Sequence, residues 1–536
     1  MKKTQKLLSL TMGLILSLGT LAACGTKTPA TTLNYDLTET NEKITYNFFS
    51  PGFTDLAKND SVIEHIEEKF NVDIKFDGGA FGDWERALAG LVSSNKAPDL
   101  FFALPDSSTM SDYTRKVLMD YDYYLDNAGD KLPNLKTMLN AEPFGNNIKI
   151  NGKYYFIPKT VGTTTRAILV RKDWMKLWNE SKGRMGEAAL TEPTTLSEFT
   201  DMLTYFHENS LGGGKTYGMA IGMDAFDFYR DFMATFGIEP DLYLDESGNY
   251  QYSAISHPNY DMFVNWFKDG VGTYIDKALL DGQSASDAIV RFHSGDVGAL
   301  ICNTVGVLDG IMSELKVKNI NIEEAVTLIA PPDSDDGQYQ GAFMNFEFYW
   351  GGYVISKNAK EPMRLLKILD YMFSEEGQKL LTYGIKDVHY TEDANGVITP
   401  NLEKRKTESR SWGGNGGLSA DDIVSGRHDL GMQLYACPFK VVDGKMVENY
   451  PKYVSIYETY HELARRIANE NNTRKVMKGL IPNTDISRYH AEIMDALEIY
   501  TINRITGSSK QSALDELNIK IGKKDTVLKY LNENMK

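Results

Sequence analysis

The sequence has few cysteines, no strongly basic segment and no long apolar run after its first 24 residues. Three cysteines in 536 residues exclude a disulfide scaffold. The 57 Lys and Arg residues and 73 Asp and Glu residues give a formal charge of −16, with the cations spread along the chain. An acidic chain of this kind is not expected to bind nucleic acid. No run of about 18 apolar residues occurs later in the chain, so the sequence predicts no membrane-spanning helix beyond its first 24 residues.

Local signatures of common enzymes and metal sites are also missing. The chain contains no Gly-x-Ser-x-Gly, His-Glu-x-x-His, Walker A or Cys-x-x-Cys motif, and no pair among its 8 histidines has i, i+4 spacing. Residues 212–216 predict an ordinary loop, because the first glycine of a phosphate loop is absent. Residues 391–396 predict a β-turn, because the position where a carboxylate would close a calcium loop is Leu402. We therefore predict no catalytic residue, no metal and no cofactor, although a glycosidase carboxylate pair could assemble from distant residues.

The N-terminus has the pattern of an export signal. Three lysines precede an apolar stretch at residues 7–18, which is too short to span a bilayer easily. The stretch ends in Leu-Ala-Ala-Cys24-Gly, which resembles a bacterial lipobox and implies cleavage after residue 23 and lipidation of Cys24; an ordinary signal with an incidental cysteine is the alternative. Residues 24–40 are polar and rich in Thr, and they predict a flexible tether.

The other two cysteines leave two interpretations open. Cys302 lies in an apolar run, where a buried unreactive thiol is typical. A disulfide between Cys302 and Cys437 is the alternative, and the sequence alone does not decide between them.

Hydrophobic periodicity predicts an α/β protein of at least two domains. A length of 536 residues with 42% hydrophobic residues exceeds what one core usually accommodates. Alternation at residues 44–48 predicts a strand, and helical spacing after Asp60 predicts a helix. The run at 100–104 is apolar on both faces, as in a parallel strand covered by helices. Thr195 and Glu198 form a capping box, and residues 245–249 and 393–396 predict hairpin turns.

Aromatic residues beside Gly and polar residues are the main positive signal for function. The chain has 30 Tyr, 24 Phe and 6 Trp. A sugar presents an apolar face to a flat ring and hydroxyls to polar side chains, and loops at strand ends are where α/β clefts bind ligands. The candidate contacts chosen on this chemistry are Asp83, Trp84, Glu347, Tyr349, Trp350 and Trp412.

Several segments together resemble the family 1 extracellular solute-binding lipoproteins of ABC importers, especially the longer oligosaccharide-binding members. They follow the family's order from about residue 44 to 530. These segments are SSNKAPDLF (93–101), LVRKDW (169–174), PTTLSEF (193–199), FHSGDVGA (292–299) and SEEGQ (374–378).

The resemblance implies a two-lobed periplasmic-binding-protein fold with hinge-crossing strands and a ligand cleft between the α/β lobes. Residues 41–162 and 331–388 would form lobe one, and residues 163–330 and 389–536 would form lobe two. The family's sugar-binding loops correspond here to positions that include Phe49, Ser50, Asp106 and Asn303. A calcium loop of the longer members corresponds to residues 207–217, which have lost most carboxylates, so no structural calcium is expected.

The resemblance also implies the biological role. The protein would be a monomer that is lipid-anchored to the cell membrane, faces outside the cytoplasm and delivers an oligosaccharide to ABC permease subunits. Its only membrane contact would be the anchor. We expect a neutral sugar because the proposed loops are short of cations, although Lys159 and Arg166 lie near the predicted crossing. Two alternatives remain, a binder of a non-sugar solute such as a peptide and a secreted glycan-active enzyme.

Overall fold

A computed structural model describes most of the chain from Tyr35 onward. The described residues are 35–51, 60–79, 83–104, 116–142, 144–160, 166–221, 230–276, 285–303, 320–345, 349–408, 439–449, 472–475 and 483–535, with single residues at 53, 113, 311, 315, 430, 463 and 481. Cys24, Asp106, Glu347, Trp412 and Cys437 lie outside this set.

Strands and helices alternate along the described chain, as the periodicity predicts. The strands are β1 Ile44–Phe49, β2 Val72–Asp77, β3 Leu100–Ala103, β4 Ile157–Thr160, β5 Arg166–Arg171, β6 Tyr217–Ile221, β7 Leu242–Leu244, β8 Tyr250–Tyr252, β9 Val297–Asn303, β10 Val326–Ile329, β11 Phe343–Asn345, β12 Tyr349–Ile355, β13 Tyr390–Glu392, β14 Ile398–Pro400, β15 Phe439–Val442, β16 Lys445–Glu448 and β17 Asn472–Lys475. The α-helices are α1 Ser61–Phe70, α2 Trp84–Ser93, α3 Asp122–Ala128, α4 Pro133–Asn140, α5 Lys172–Ser181, α6 Leu196–Glu208, α7 Ser253–Ser256, α8 Tyr260–Gly270, α9 Ala285–Ser294, α10 Ile322–Ala325, α11 Pro362–Met372, α12 Glu375–Tyr383, α13 Leu402–Thr407, α14 Thr484–Ile505, α15 Lys510–Lys520 and α16 Lys524–Asn534. Within the described part of the chain, no helix has the length and apolar character needed to cross a bilayer.

Two mixed sheets form the centre of the fold. The first has the order β2-β1-β3-β12-β4, in which β12 is antiparallel to β3 and β4 and the other described pairings are parallel. The second has the order β10-β5-β9-β6, in which β5 is antiparallel to both neighbours and β6 is parallel to β9. The first sheet is therefore built from chain segments before and after the second sheet, whose four strands all lie between residues 166 and 329.

Local signals explain where the helices begin. The side chain of Asp60 accepts hydrogen bonds from the backbone N–H groups of Val62 and Ile63 at 2.9 and 3.0 Å, which caps α1. The hydroxyl of Thr195 accepts from the N–H of Glu198 at 3.3 Å, and the Glu198 carboxylate accepts from the N–H of Thr194 at 2.9 Å. These contacts confirm the predicted capping box, with the returning bond one residue earlier than the usual pattern.

Three large apolar clusters stabilise the described chain. The first surrounds the first sheet and includes Phe48, Phe102, Tyr353 and Leu369. The second surrounds the second sheet, and the third joins β7 and β8 to α14, α15 and α16. Side chains in all three are almost fully buried, so each cluster removes enough apolar surface to act as a separate core.

The packing differs from the predicted lobe boundaries at two places. Residues 389–536 were assigned to lobe two, but Phe439 and Met446 pack in the first cluster. His389 likewise lies beside Ser61 of α1. Residues 331–345 were assigned to lobe one, but Phe343 packs in the second cluster and the Thr235 hydroxyl donates to the Pro332 carbonyl at 2.7 Å. These contacts join residues far apart in sequence, which is why local patterns did not indicate them.

The predicted tether also differs at its C-terminal end. Residues 35–40 were expected to be flexible, but Tyr35 and Leu37 pack against the first cluster. The predicted turns agree with the structure, because 245–249 joins β7 to β8 and 393–396 joins β13 to β14. The Asp393 carboxylate accepts from the N–H groups of Asn395 and Val397, both at 2.8 Å, as in a turn.

Candidate functional site

The carboxyl ends of four strands of the first sheet meet the amino end of β12. We call this end of the sheet the first rim, and it carries Ser50, Gly78, Leu104, Thr160 and Tyr349. In open α/β sheets this is the end at which ligands bind.

The corresponding end of the second sheet joins the amino end of β5 to the carboxyl ends of its neighbours. We call it the second rim, and it carries Arg166, Ile221, Asn303 and Ala330. Arg166 and Asn303 are direct partners across β5 and β9. The predicted contact Asn303 therefore lies at a strand end, in backbone register with Arg166.

One short connection joins the two rims directly. Six residue steps separate Thr160 on the first rim from Arg166 on the second, and a fully extended chain of this length spans no more than about 22 Å. The return is longer, since 19 residue steps separate Ala330 from Tyr349, and it passes through β11, which pairs with β17. Since Thr160 and Tyr349 are themselves paired across β4 and β12, both connections meet the first rim at one point.

At the first rim, the turn after β1 lies very close to the residues that end β2. The N–H of Ser50 donates to the Asp77 carbonyl at 3.1 Å, and the Ser50 carbonyl accepts from the N–H of Phe53 at 3.1 Å. A Cβ atom at Gly78 would lie 2.0 Å from the Ser50 carbonyl oxygen, so residue 78 must be glycine. Ser50 as a whole is 1% exposed, and its hydroxyl is 3.1 Å from the hydroxyl of Tyr353. Its side chain and its backbone are therefore both buried, so the predicted contact at Ser50 is not exposed in this structure.

Two predicted aromatic contacts are buried in the first cluster. Phe49 is 2% exposed and Trp84 is 4% exposed. The Trp84 ring centroid lies 5.5 Å from that of Phe102. Trp84 begins α2 four residues before Leu88, which is 1% exposed, so both share the core-facing side of the helix. The expectation that Trp84 presents an exposed stacking face does not agree with this burial.

The neighbouring Asp83 is exposed and forms an ion pair with Arg86, one turn along α2. Its side chain makes no capping hydrogen bond to the helix. Because Asp83 is exposed and an exposed ion pair is weak, its carboxylate can exchange Arg86 for a ligand hydroxyl at little cost.

Tyr349 and Trp350 lie at the first rim, beside the crossing. Tyr349 pairs with Thr160, and the register shifts before the Gly352–Pro158 pair. Gly351 between them has φ 66°, and a Cβ there would lie 2.4 Å from the Phe102 ring. The irregularity therefore requires glycine and brings the Tyr349–Trp350 segment to the end of the sheet. The candidates Asp106, Glu347 and Trp412 lie outside the described residues.

Two residues near this rim were not selected as contacts from the sequence. Tyr353 lies between the Phe102 and Phe53 rings, and burial raises the pKa of its phenol. Lys159 is 8% exposed, with Nζ 5.8 Å from the centroid of the Phe102 ring. The position of Lys159 one residue before the crossing was visible in the sequence, but its burial among aromatic rings was not.

Within the described ranges, no group of three metal-ligating side chains occurs. A buried Ser61–His389–Glu408 cluster lies at the start of α1, where the Nε2 atom of His389 is 3.3 Å from the Ser61 hydroxyl and 3.1 Å from Glu408. The Nδ1 atom accepts the N–H of Ile385 at 2.8 Å. A catalytic triad needs the serine and the acid on opposite ring nitrogens, so this cluster does not have its geometry.

Comparison with known families identifies one that covers more than half of the chain. The model described as bacterial extracellular solute-binding protein matches residues 61–390. One curated relative is the polygalacturonan/rhamnogalacturonan-binding protein YtcQ of Bacillus subtilis. It is 23% identical over 368 residues, which cover 66% of this chain and 67% of the relative.

Solved structures of similar fold cover nearly the whole chain. The alginate-binding protein AlgQ2 has a TM-score of 0.65 at 15% identity, covering 92% of this chain and 98% of that protein. An HMO-binding solute-binding protein of Bifidobacterium longum infantis has a TM-score of 0.65 at 14% identity, with the same two coverages of 92% and 98%. The N-glycan transport protein NgtS of Streptococcus pneumoniae has a TM-score of 0.54 at 14% identity and covers 91% and 97%. These similarities confirm the predicted two-lobed α/β fold.

Proposed function

Because the chain belongs to the bacterial extracellular solute-binding proteins, we propose that it captures an oligosaccharide outside the cytoplasm for an ABC importer. The observation that carries this proposal is the pair of sheet rims joined by the short crossing from Thr160 to Arg166, with the return crossing at Tyr349 beside it. Relatives whose names denote polysaccharide, HMO and N-glycan ligands support a carbohydrate over a peptide.

We propose that the ligand is gripped between the two rims. The proposed contacts on the first side are the turn at Ser50 and the side chains of Asp83, Tyr349 and Trp350, and Asn303 is the proposed contact on the second side. Asp106, Glu347 and Trp412 remain proposed contacts from the sequence. Closure around the sugar would exclude water and present one closed surface to permease subunits, with no chemical step.

We propose that Cys24 carries the lipid that holds the protein at the membrane. The basic start, apolar stretch and Ala-Ala-Cys-Gly sequence support this. A monomeric binding protein confined to the membrane would meet its permease at raised effective concentration. The acidic charge of −16 supports the proposal that nucleic acid is not a partner.

A neutral oligosaccharide is the ligand expected from the sequence, and an acidic one is the second candidate. The proposed loops contain few Lys and Arg residues, which favours a neutral sugar. The fold brings Lys159 beside the first crossing and Arg166 onto the second rim. Binding of a uronate would weaken steeply as salt rises, whereas binding of a neutral sugar would not.

A thermal-shift screen tests the proposed function. The purified chain is melted with neutral oligosaccharides, uronate oligosaccharides and peptides, since a ligand of the native state raises the melting temperature by mass action. We expect a shift with one class of oligosaccharide and none with peptides. Analysis of the sugar after long incubation should show no product. A peptide-specific shift, or sugar turnover, would contradict the proposal.

A further inference from the structure

The segment before β1 is fastened to the first cluster by a series of specific contacts. The hydroxyl of Tyr35 donates to Asp120 at 2.6 Å, and Asp120 is itself 1% exposed and paired with Lys153 at 3.1 Å. The Tyr35 ring stacks on Tyr123 of α3 with centroids 4.5 Å apart. A buried, charge-assisted hydrogen bond and an aromatic stack together fix the position of Tyr35.

A second set of contacts fixes the segment five residues later. The N–H and hydroxyl of Thr40 donate to the Glu361 carboxylate at 3.2 and 2.6 Å. Arg364 is 4% exposed and donates to the carbonyls of Thr40 and Glu42, and Lys367 pairs with Glu39. The backbone of residues 35–42 is therefore held at both ends, and we call this segment the clasp.

The clasp limits how far the fold can lie from a lipid on Cys24. Eleven residue steps separate Cys24 from Tyr35, whereas 20 separate Cys24 from Ile44, where β1 begins. The corresponding maximum spans are about 38 and about 70 Å. Fastening residues 35–42 thus nearly halves the reach that a free tether up to β1 would allow.

We infer that the clasp makes the α3 surface around Tyr123 the part of the protein held nearest to the lipid bilayer. The inference rests on the proposed lipidation of Cys24. The exposed side chains on and after α3 include Asp126 and Asp130 as well as Lys131 and Lys136, so this surface carries charges of both signs rather than a cluster of cations that would attract an anionic bilayer. The lipid and the length of the tether, rather than adhesion of the surface, set the distance.

The orientation can be measured by energy transfer on the full lipidated protein. A fluorophore is attached through an encoded azide in place of Asp126 on α3 or in place of Ile519 on α15. Ile519 is 84% exposed, on the helix whose Leu517 packs in the third cluster. Vesicles of phosphatidylcholine carry an acceptor lipid. We expect transfer at position 126 to be at least about twofold that at position 519. Asp126 lies one turn along α3 from Tyr123, which stacks on Tyr35, whereas α15 packs in the third cluster.

The variant Tyr35→Ala removes the stack and the hydrogen bond and should bring the two transfer efficiencies closer together. Tyr35→Phe, which keeps the stack, should retain most of the difference. Equal transfer at both positions in the lipidated wild type would overturn the inference, as would a difference unaffected by Tyr35→Ala in a chain that melts normally. If mass spectrometry shows that the wild-type protein carries no lipid, the proposed anchoring is contradicted, and the inference with it.

Discussion

At the scale of single residues, Trp84 and Trp350 both lie near the first rim but are expected to have different roles. Trp84 is 4% exposed and contacts Phe102, so its ring belongs to the first core. Trp84→Ala should lower the free energy of unfolding by about 3–5 kcal/mol through loss of burial and creation of a cavity. Urea unfolding of the ligand-free protein measures this cost directly. A loss below about 1 kcal/mol would show that Trp84 is not a core residue.

Trp350→Ala is the matched change at a proposed contact beside the crossing. It should weaken oligosaccharide binding by about 1–3 kcal/mol, the range of a desolvated aromatic anchor. The melting temperature of the ligand-free protein should change little. Titration calorimetry and melting on the same sample separate the two effects. Unchanged affinity in Trp350→Ala would exclude this tryptophan from the site.

Gly78 offers a second test at residue scale. Its added Cβ would lie 2.0 Å from the Ser50 carbonyl oxygen, so Gly78→Ala should displace the turn after β1 and destabilise the protein. Gly90 within α2 is the matched control, because a Cβ there meets nothing within 4 Å. Gly90→Ala should stabilise the helix by about 0.5–1 kcal/mol. If both variants have the same melting temperature, the close approach at Ser50 is wrong.

At the scale of elements, helix starts and hairpins are the features that the sequence predicted best. The cap at Asp60, the box at Thr195 and the turn at Asp393 each depend on side-chain contacts within four residues. Such contacts are determined by the local sequence alone. Trp84 carries two conflicting local signals, because its i, i+4 spacing from Leu88 is typical of a core face, whereas its neighbours Gly82 and Asp83 are typical of a ligand loop. Both Trp84 and Leu88 are buried, so the helical spacing is the stronger signal.

Two histidines link elements and predict a pH dependence of stability. His490 of α14 lies with Nδ1 2.9 Å from the Tyr252 hydroxyl of β8, and burial lowers its pKa from 6.5 to about 4. Burial also lowers the pKa of His389, against the attraction of Glu408. Both are therefore neutral in the folded protein over a range where the unfolded chain takes up protons. The free energy of unfolding should be highest above pH 6.5 and fall toward about pH 4, by at most about 1.4 kcal/mol per pH unit for each histidine.

The variant His490→Gln keeps a polar group opposite Tyr252 and removes the titration. Urea unfolding at pH 7.5, 6 and 5 should show a shallower pH dependence in this variant than in the wild type. Carboxylates with lowered pKa values, such as Asp261, lose their contribution to the free energy of unfolding only at more acidic pH. Parallel wild-type and His490→Gln curves would contradict the assignment of the pH dependence to this histidine.

At the scale of the whole molecule, the two-lobed fold was predictable but the division of the chain between the cores was not. The order of family-like segments and the strand–helix alternation predicted the fold. Phe439 packs in the first core and Phe343 in the second, and both positions depend on contacts between residues that are far apart in sequence. The clasp was missed for the same reason, because the partners of Tyr35 and Thr40 lie 85 and 321 residues away.

The site has a similar division between what the sequence predicted and what it did not. Tyr349 and Trp350 were identified from their chemistry and Asn303 from the family resemblance, and the fold places their backbone at the joined rims. Trp84, chosen for the same chemistry, and Phe49, chosen from the resemblance, are buried. The difference is set by which face of a strand or helix meets the core, and for single residues at element ends that depends on the tertiary packing.

The most direct test of the account is whether one oligosaccharide contacts both rims. Calorimetric titration of the best ligand from the screen is performed on the wild type, Trp350→Ala, Asn303→Ala and the double variant. Each single change should weaken binding by about 1–3 kcal/mol without altering ligand-free melting, and the double variant should bind more weakly than either. Wild-type affinity in Asn303→Ala together with a loss in Trp350→Ala, or the reverse, would place the ligand on one rim alone and contradict the proposed grip between the two sheets.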